Sequence, residues 1–217
     1  MPTIKTIDDV NRALAILVKS DSALAHAYQF ILDTGLAVPL RLRPGGFGGL
    51  SEIVISQLVS KASANAIHQR FMSHIPTLTP DNCLNANDET WRAIGMSRPK
   101  QATLRAIATG LRNNQLNLES LADLSVEQAV KHLTQIKGVG QWTADVYLLF
   151  CVGHSDIFPS GDLALREAAK LIWSLDHRPP DKELRELATR WSPWRGVAAR
   201  LLWAYYAANK NRKDAAP

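Results

Sequence analysis

An apolar side chain recurs every three to four residues along most of this chain, which is the spacing of one face of an α-helix. The first such segment follows a Thr6/Asp9 capping pair, and its apolar positions are Ile7, Val10, Leu14, Leu17 and Val18. No segment alternates apolar and polar residues over the length of a strand. The sequence therefore predicts an all-α fold of about ten short helices.

Helix boundaries are marked by capping residues and by glycine. Ser125 and Gln128 form a capping box that opens a helix running to about Ile136. Residues 41–49 hold four glycines and a proline, so we expect a loop there. The helix after that loop is predicted over residues 50–59.

Composition places the chain among ordinary globular proteins. It has 217 residues, of which 46% are hydrophobic and 21% charged, enough to bury a core. Cys83 and Cys151 are its two cysteines, too few to ligate an iron–sulfur cluster or a four-cysteine zinc site. We expect a cytoplasmic protein, because cysteines are scarce and no uncharged apolar run reaches the length of a membrane span.

Net charge points weakly to a polyanionic partner. The formal charge is +5, and a positive surface attracts phosphates. Many basic proteins nevertheless bind no nucleic acid. We expect one unit over residues 1–217, with a central helical subdomain at about 50–135 and a second subdomain built from about 1–49 together with 136–217.

The most informative stretch surrounds Lys137-Gly-Val-Gly140. Two helices joined by these glycines expose backbone N–H groups at the start of the second helix, where a phosphate oxygen can dock. Lys137, Gly138, Val139 and Gly140 are thus candidate phosphate-binding residues. A glycine-terminated helix followed by another helix would show the same short pattern without binding anything.

A carboxylate stands at a helix start after this hairpin, in Pro159-Ser-Gly-Asp162-Leu-Ala-Leu-Arg166. Taken alone, Asp162 is equally explained as an ordinary N-cap. Taken with the preceding Leu-x-x-Ile-x-Gly-Val-Gly-x-Trp-Thr-Ala, the order and spacing resemble the helix-hairpin-helix DNA glycosylase superfamily. That resemblance implies two packed helical subdomains with the active site in the cleft between them.

Three further stretches are similar to the alkylpurine (3-methyladenine) DNA glycosylase II branch of that superfamily. They are Ile55-Ser-Gln-Leu-Val-Ser60, the Gly95-Met96 turn before a helix, and Arg190-Trp-Ser-Pro-Trp-Arg195 followed by Leu201-Leu-Trp203. The resemblance spans about residues 47–206.

The resemblance assigns roles to individual residues. Asp162 matches the catalytic aspartate, and Leu58, with Gln57 beside it, matches the wedge that fills the gap left by a flipped nucleotide. Trp142 and Trp203 match aromatic residues of the base pocket, where Val146 stands in place of a frequent tyrosine. Tyr28 and Phe47 are further candidates for the pocket rim, without motif support.

Family members also bind a monovalent cation at the hairpin. The corresponding ligands are the backbone carbonyls of Thr134, Ile136 and Gly138, which would hold Na⁺ or K⁺. Carbonyl ligands have no side-chain signature, so only the resemblance implies this ion, and we expect no other cofactor.

Departures from the family narrow the expected activity. Gln141-Trp142 stands where bifunctional lyases have a lysine, so the amine needed for a Schiff base is missing. The four cysteines of the iron–sulfur members are missing as well. The resemblance therefore implies a monomeric, monofunctional glycosylase that removes 3-methyladenine and 7-methylguanine from duplex DNA in base excision repair.

Two alternatives stay open on the sequence. The first is a non-catalytic helix-hairpin-helix module that only binds DNA. The second is a glycosylase for other damaged bases, such as 1-methyladenine, etheno-adenine or hypoxanthine.

Overall fold

The computed structural model describes the backbone of residues 3–214 and the side chains of residues 3–210. Within that range the chain forms twelve α-helices and no strand, apart from one isolated bridge between Thr3 and His154. The helices are α1 Ile7–Ser20, α2 Ser22–Asp33, α3 Gly46–Ser56, α4 Lys61–His74, α5 Pro80–Asn85, α6 Asp88–Ile94, α7 Arg98–Arg112, α8 Val126–Thr134, α9 Gln141–Tyr147, α10 Leu163–Ile172, α11 Asp181–Ala188 and α12 Arg195–Asp214. The all-α prediction is confirmed. None of these helices is long and apolar enough to cross a membrane.

Both predicted capping boxes are present. The N–H of Asp9 donates to Oγ1 of Thr6 at 3.2 Å, and the N–H of Thr6 donates to Oδ2 of Asp9 at 2.8 Å. Ser125 and Gln128 exchange the same pair of bonds, at 3.3 and 3.1 Å. These side chains satisfy first-turn donors that the helix itself leaves without partners, so a four-residue pattern sufficed to locate the two helix starts.

The glycine-rich segment differs from the prediction. Helix α3 begins at Gly46, inside residues 41–49 where we expected a loop, and it ends at Ser56 instead of near Val59. Three residues between Ser56 and Ser60 therefore lie outside the helices, and they include Leu58.

Close packing explains why glycines form the start of α3. A Cβ added at Gly49 would overlap the carbonyl oxygen of Pro44, so only glycine fits this approach. The N–H of Gly46 donates to the hydroxyl of Tyr147 at 2.9 Å. Tertiary contacts therefore override the low helix propensity of glycine.

The chain divides into two units, and one of them combines the residues up to Leu42 with those from Gly153 onward. In this unit α12 packs against α2 and α10, and α1 packs against α2. The side chain of Asp156 anchors the start of α12 through a bidentate ion pair with Arg195, at 2.7 and 2.9 Å. That pair fixes the loop that leads to Asp162.

The second unit spans Arg43–Val152 and contains α3 to α9. Its helix α7 packs on α3 and α5, and the buried ring of Trp91 stacks on Phe71 with centroids 6.1 Å apart. We expected a boundary near residue 135. The chain instead stays in this unit up to Val152, because α9 packs on both α3 and α8. Both halves of the hairpin consequently belong to one unit.

The turn between α8 and α9 is set by one close approach. Gly138 adopts a φ of +90°, and a Cβ added there would lie 2.8 Å from the Cβ of Thr103 on α7. Gly140, the N-cap of α9, has an ordinary φ of −90° and nothing within 4 Å of its missing side chain. The two glycines thus serve different purposes, since only the first is required by packing.

We expect Gly138→Ala to destabilise the protein by about 2 kcal/mol, because the left-handed backbone and the overlap with Thr103 both oppose a side chain. That loss lowers the Tm by roughly 4 to 8 °C for a chain of this size. Gly140→Ser is the matched control and should leave the Tm within about 2 °C, since serine is a good N-cap. Equal losses in the two variants, measured by thermal unfolding, would contradict this account.

Candidate functional site

At the hairpin turn, residues 137–140, the exposed surface is mainly main chain, because two of the four residues are glycines. Helix α8 ends at Thr134, and the turn is held by the N–H of Val139, which donates to the carbonyl of Ile136 at 3.0 Å. Val139 is buried, whereas Lys137, Gly138 and Gly140 are exposed. The side chain of Val139 therefore anchors the turn from inside, and a phosphate docking here would contact backbone N–H groups and Lys137.

The start of α9 carries the positive end of the helix dipole and is open to a ligand. Its N-cap, Gly140, provides no side-chain cap, and the space beside it is clear. An anion that approaches this end meets N–H donors without steric obstruction. The predicted phosphate-binding geometry is thus compatible with the structure of the turn.

Leu58 has the most exposed large apolar side chain of the described residues, with a relative accessible area of 103%. It lies between α3 and α4 with a φ of +54°, a left-handed conformation that is uncommon for a residue with a branched side chain. An exposed leucine in an unfavourable conformation contributes nothing to the core. Its geometry suits insertion into an apolar space outside the protein.

Gln57, the residue before Leu58, is hydrogen-bonded within the protein. Its Nε2 donates to Oγ1 of Thr143 at 2.7 Å, and Thr143 is a buried residue in the first turn of α9. Sequence reasoning missed this role of Thr143, although the residue stands in the quoted Trp-Thr-Ala run. The two residues are 86 positions apart, and no local pattern indicates such a pair.

Asp162 is the N-cap of α10, and the donors around it converge on one carboxylate oxygen. The N–H groups of Ala164 and Leu165 donate to Oδ1 at 2.9 and 3.1 Å. The indole N–H of Trp203 on α12 donates to the same oxygen at 3.0 Å. The carboxylate is therefore fixed in orientation, and the N-cap interpretation and the catalytic one are both compatible with its position.

Hydrogen bonds to neighbouring segments hold the loop before Asp162 in place. The Ser160 hydroxyl donates to Oδ1 of Asp181 at the start of α11, and the N–H of Asp162 donates to the carbonyl of Pro159 at 2.9 Å. Arg166, one turn into α10, donates from Nε to the carbonyl of Pro179 at 2.8 Å. These bonds reduce the conformations available to the segment that carries the carboxylate.

The predicted aromatic residues fall into different surroundings. Trp203 lies in the unit of Asp162 and is half-buried, and Trp142 lies in the hairpin unit with part of its ring exposed. Val146 is buried one turn beyond Trp142. Trp191 is 1% exposed, and its indole N–H donates to Oδ2 of Asp21 at 2.8 Å.

The two rim candidates without motif support also differ. Phe47 is buried in α3, and Tyr28 is half-buried in α2. Neither residue contributes to the contacts that orient Asp162 or Gln57. Their proposed place at a pocket rim stays a prediction.

The carbonyls named for a monovalent cation fit such an ion chemically. Thr134 is the last residue of α8, where helical carbonyls lack intrahelical partners, and the carbonyl of Ile136 keeps a second lone pair beside its bond to Val139. Neutral carbonyl oxygens are the donors that bind K⁺ in proteins. Among the residues described, no cluster of three or more His, Cys, Asp or Glu side chains is arranged to hold a metal ion.

Comparison with known proteins identifies relatives that share most of the chain. This chain is 30% identical over 162 residues to the alkylbase DNA glycosidase-like protein mag2 of Schizosaccharomyces pombe. The aligned segment covers 72% of this chain and 76% of that protein. DNA-3-methyladenine glycosylase 1 of the same yeast is 32% identical over 160 residues, covering 71% of this chain and 69% of its own length.

Solved structures have the same fold. The S. pombe 3-methyladenine DNA glycosylase Mag1, bound to abasic DNA, superposes with a TM-score of 0.73 at 26% identity, covering 84% of this chain and 95% of that one. A DNA-3-methyladenine glycosidase from Bacillus halodurans superposes with a TM-score of 0.76 at 25% identity. The superposition covers 98% of this chain and 94% of that one.

The family model of the HhH-GPD superfamily base excision DNA repair proteins matches residues 51–193, a segment that includes Leu58, the hairpin and Asp162. The helices, the capped carboxylate and the glycine turn agree with that match. This chain belongs to the HhH-GPD superfamily of base excision DNA repair proteins.

Proposed function

We propose that this protein is a monofunctional DNA glycosylase that hydrolyses the N-glycosidic bond of alkylated purines, 3-methyladenine and 7-methylguanine, in duplex DNA. The observation that carries the proposal is the carboxylate of Asp162, fixed by three donors on Oδ1 at the motif position of the family's aspartate. Relatives named as 3-methyladenine glycosylases support the choice of substrate.

A glycosylase must first reach the sugar C1′, which base stacking hides in duplex DNA. Leu58, held outward at the end of α3, has the exposure and apolar character to fill the space of an extruded nucleotide. Inserting it recovers part of the few kcal/mol lost when stacking is broken. The wedge thus makes the flipped state more populated without touching the reacting atoms.

Asp162 acts on the sugar once the base is extruded. As the bond from C1′ to the base nitrogen breaks, its electron pair leaves with the base and positive charge develops on the sugar ring. A carboxylate stabilises that charge and orients the water that adds to C1′. A purine methylated at N3 or N7 is already cationic and leaves as a neutral base, so no strong general acid is required.

DNA is held mainly through its phosphates. The exposed glycines and Lys137 at the hairpin offer N–H donors and a positive charge, contacts that carry no base sequence information. A K⁺ or Na⁺ on the carbonyls of Thr134, Ile136 and Gly138 would add a positive charge beside a phosphate. Affinity at this site therefore follows the backbone, and damage recognition depends on the extruded base.

We expect Asp162→Asn to lower single-turnover excision of 7-methylguanine and 3-methyladenine roughly 100- to 1,000-fold, because the stabilising charge is lost. The Oδ1 of asparagine accepts the same three bonds, so folding and DNA affinity should survive. Asp176→Asn, which removes an exposed carboxylate in the same unit, is the matched control. Full activity in Asp162→Asn would remove this residue from the mechanism.

The product of the same assay tests monofunctionality, since Trp142 stands where lyases have lysine. The strand should keep its abasic site intact and break only after alkali. Borohydride should trap no covalent adduct, because the lysine that forms the Schiff base in lyases is missing from this position. A trapped adduct would show that another amine takes part and that the enzyme is bifunctional.

We expect Gly140→Leu to fold normally and to bind damaged and undamaged DNA more weakly by the same factor, because its side chain blocks the phosphate approach. Lys137→Ala should reduce the slope of log K against log salt by about 1. Replacing K⁺ with tetramethylammonium at equal ionic strength should weaken wild-type binding through loss of the carbonyl-bound ion. Loss of lesion preference alone in Gly140→Leu would contradict the phosphate role.

Trp203 combines an aromatic face with the donor to Asp162, and two substitutions separate these roles. Trp203→Phe removes the N–H and should slow release of 3-methyladenine and hypoxanthine equally, roughly three- to tenfold. Trp203→Ala should also reduce the preference for the cationic base by a factor of a few to about thirty, which is the contribution of cation–π attraction. A changed preference in Trp203→Phe, measured on defined oligonucleotides, would show that the donor itself selects the base.

A further inference from the structure

We infer that Thr143 is a positioning residue that fixes the wedge loop, Gln57 to Val59, in register with the phosphate-binding hairpin through its hydrogen bond to Gln57. The inference rests on the proposed function, because it gives that site a mechanical link between holding a phosphate and inserting Leu58. Neither the motifs nor the family match assigns this role to Thr143.

The hydrogen bond between Gln57 and Thr143 joins the end of α3 to the start of α9. Gln57 is the C-cap of α3 and directly precedes Leu58, and its Nε2 lies 2.7 Å from Oγ1 of Thr143. Thr143 is the third residue of α9, three positions after the hairpin glycine Gly140. One hydrogen bond therefore ties the residue before Leu58 to the helix that begins directly after the hairpin.

Helix α7 contacts both of the elements that the Gln57–Thr143 bond joins. Lys100 on α7 donates from Nζ to the carbonyl of Ile55 at 2.7 Å and caps the last turn of α3. Burial lowers the pKa of Lys100, because desolvation disfavours the charged amine. One turn further along α7, Thr103 fills the space that a Gly138 side chain would occupy. Helix α7 thus contacts both the wedge-bearing helix and the hairpin.

The conformation of Leu58 requires contacts that hold the loop in place. Leu58 is fully exposed and left-handed, and a loop without anchors would relax to an ordinary conformation. An ordered wedge loses less conformational entropy when it enters DNA, so preorganisation favours the inserted state. Phosphate contact at the hairpin then sets the depth and direction at which Leu58 meets the stack.

The test is a double-mutant cycle between Thr143→Val and Leu58→Ala, with Thr143→Ser as the control that keeps the hydroxyl. Valine retains the shape of threonine in the buried site and removes the acceptor. The measurements are single-turnover excision of 7-methylguanine and the fluorescence of 2-aminopurine placed beside the lesion, which reports unstacking without chemistry. Thermal unfolding of each variant verifies its fold.

We expect Thr143→Val to slow excision and reduce the fluorescence rise roughly three- to tenfold, the value of one hydrogen bond. Thr143→Ser should behave as wild type. In the double variant the loss should equal that of Leu58→Ala alone, because Thr143 acts through the wedge and has no effect once the wedge is gone.

Two outcomes overturn the inference: additive losses in the double variant, or wild-type behaviour of a folded Thr143→Val. If Thr143→Val fails to fold, Gln57→Leu removes the same bond from its half-buried partner and replaces it in the cycle. A wild-type protein that releases no alkylated base refutes the proposed function, and the fluorescence cycle then still decides the coupling. The two failures are therefore distinguishable.

Discussion

The approach of the Gly138 backbone to Thr103 is the constraint on which the functional geometry of the hairpin unit depends. No side chain fits between them, so α8 and α9 meet at a turn that is seated on α7. The packing of this turn on α7 positions Thr143, in the first turn of α9, to accept a hydrogen bond from Gln57. Packing at a single glycine thus relates the hairpin turn, the end of α3 that carries Gln57, and helix α7.

The other unit holds the carboxylate of Asp162 in one orientation. Asp162 caps α10 and accepts a third bond from Trp203, while Asp181 and Pro179 hold the neighbouring segment from behind. These contacts together limit the orientations that the carboxylate can adopt.

Local sequence patterns predicted the elements whose partners lie within four residues. The capping boxes at Thr6 and Ser125 and the N-cap at Asp162 were correct for that reason. The glycine-rich start of α3 was predicted wrongly as a loop. The N–H of Gly46 at this start donates to the hydroxyl of Tyr147, about a hundred positions away, and propensity alone gives no indication of such a contact.

The sequence alone determined the all-helical class, the hairpin motif and the N-cap at Asp162, because spacing along a chain encodes helices, turns and caps directly. Only the tertiary structure decided what holds these parts in place. The bonds from Gln57 to Thr143 and from Trp203 to Asp162 span 86 and 41 positions. Contacts of that range arise from packing, since a hydrogen bond forms only where the fold brings donor and acceptor within about 3 Å.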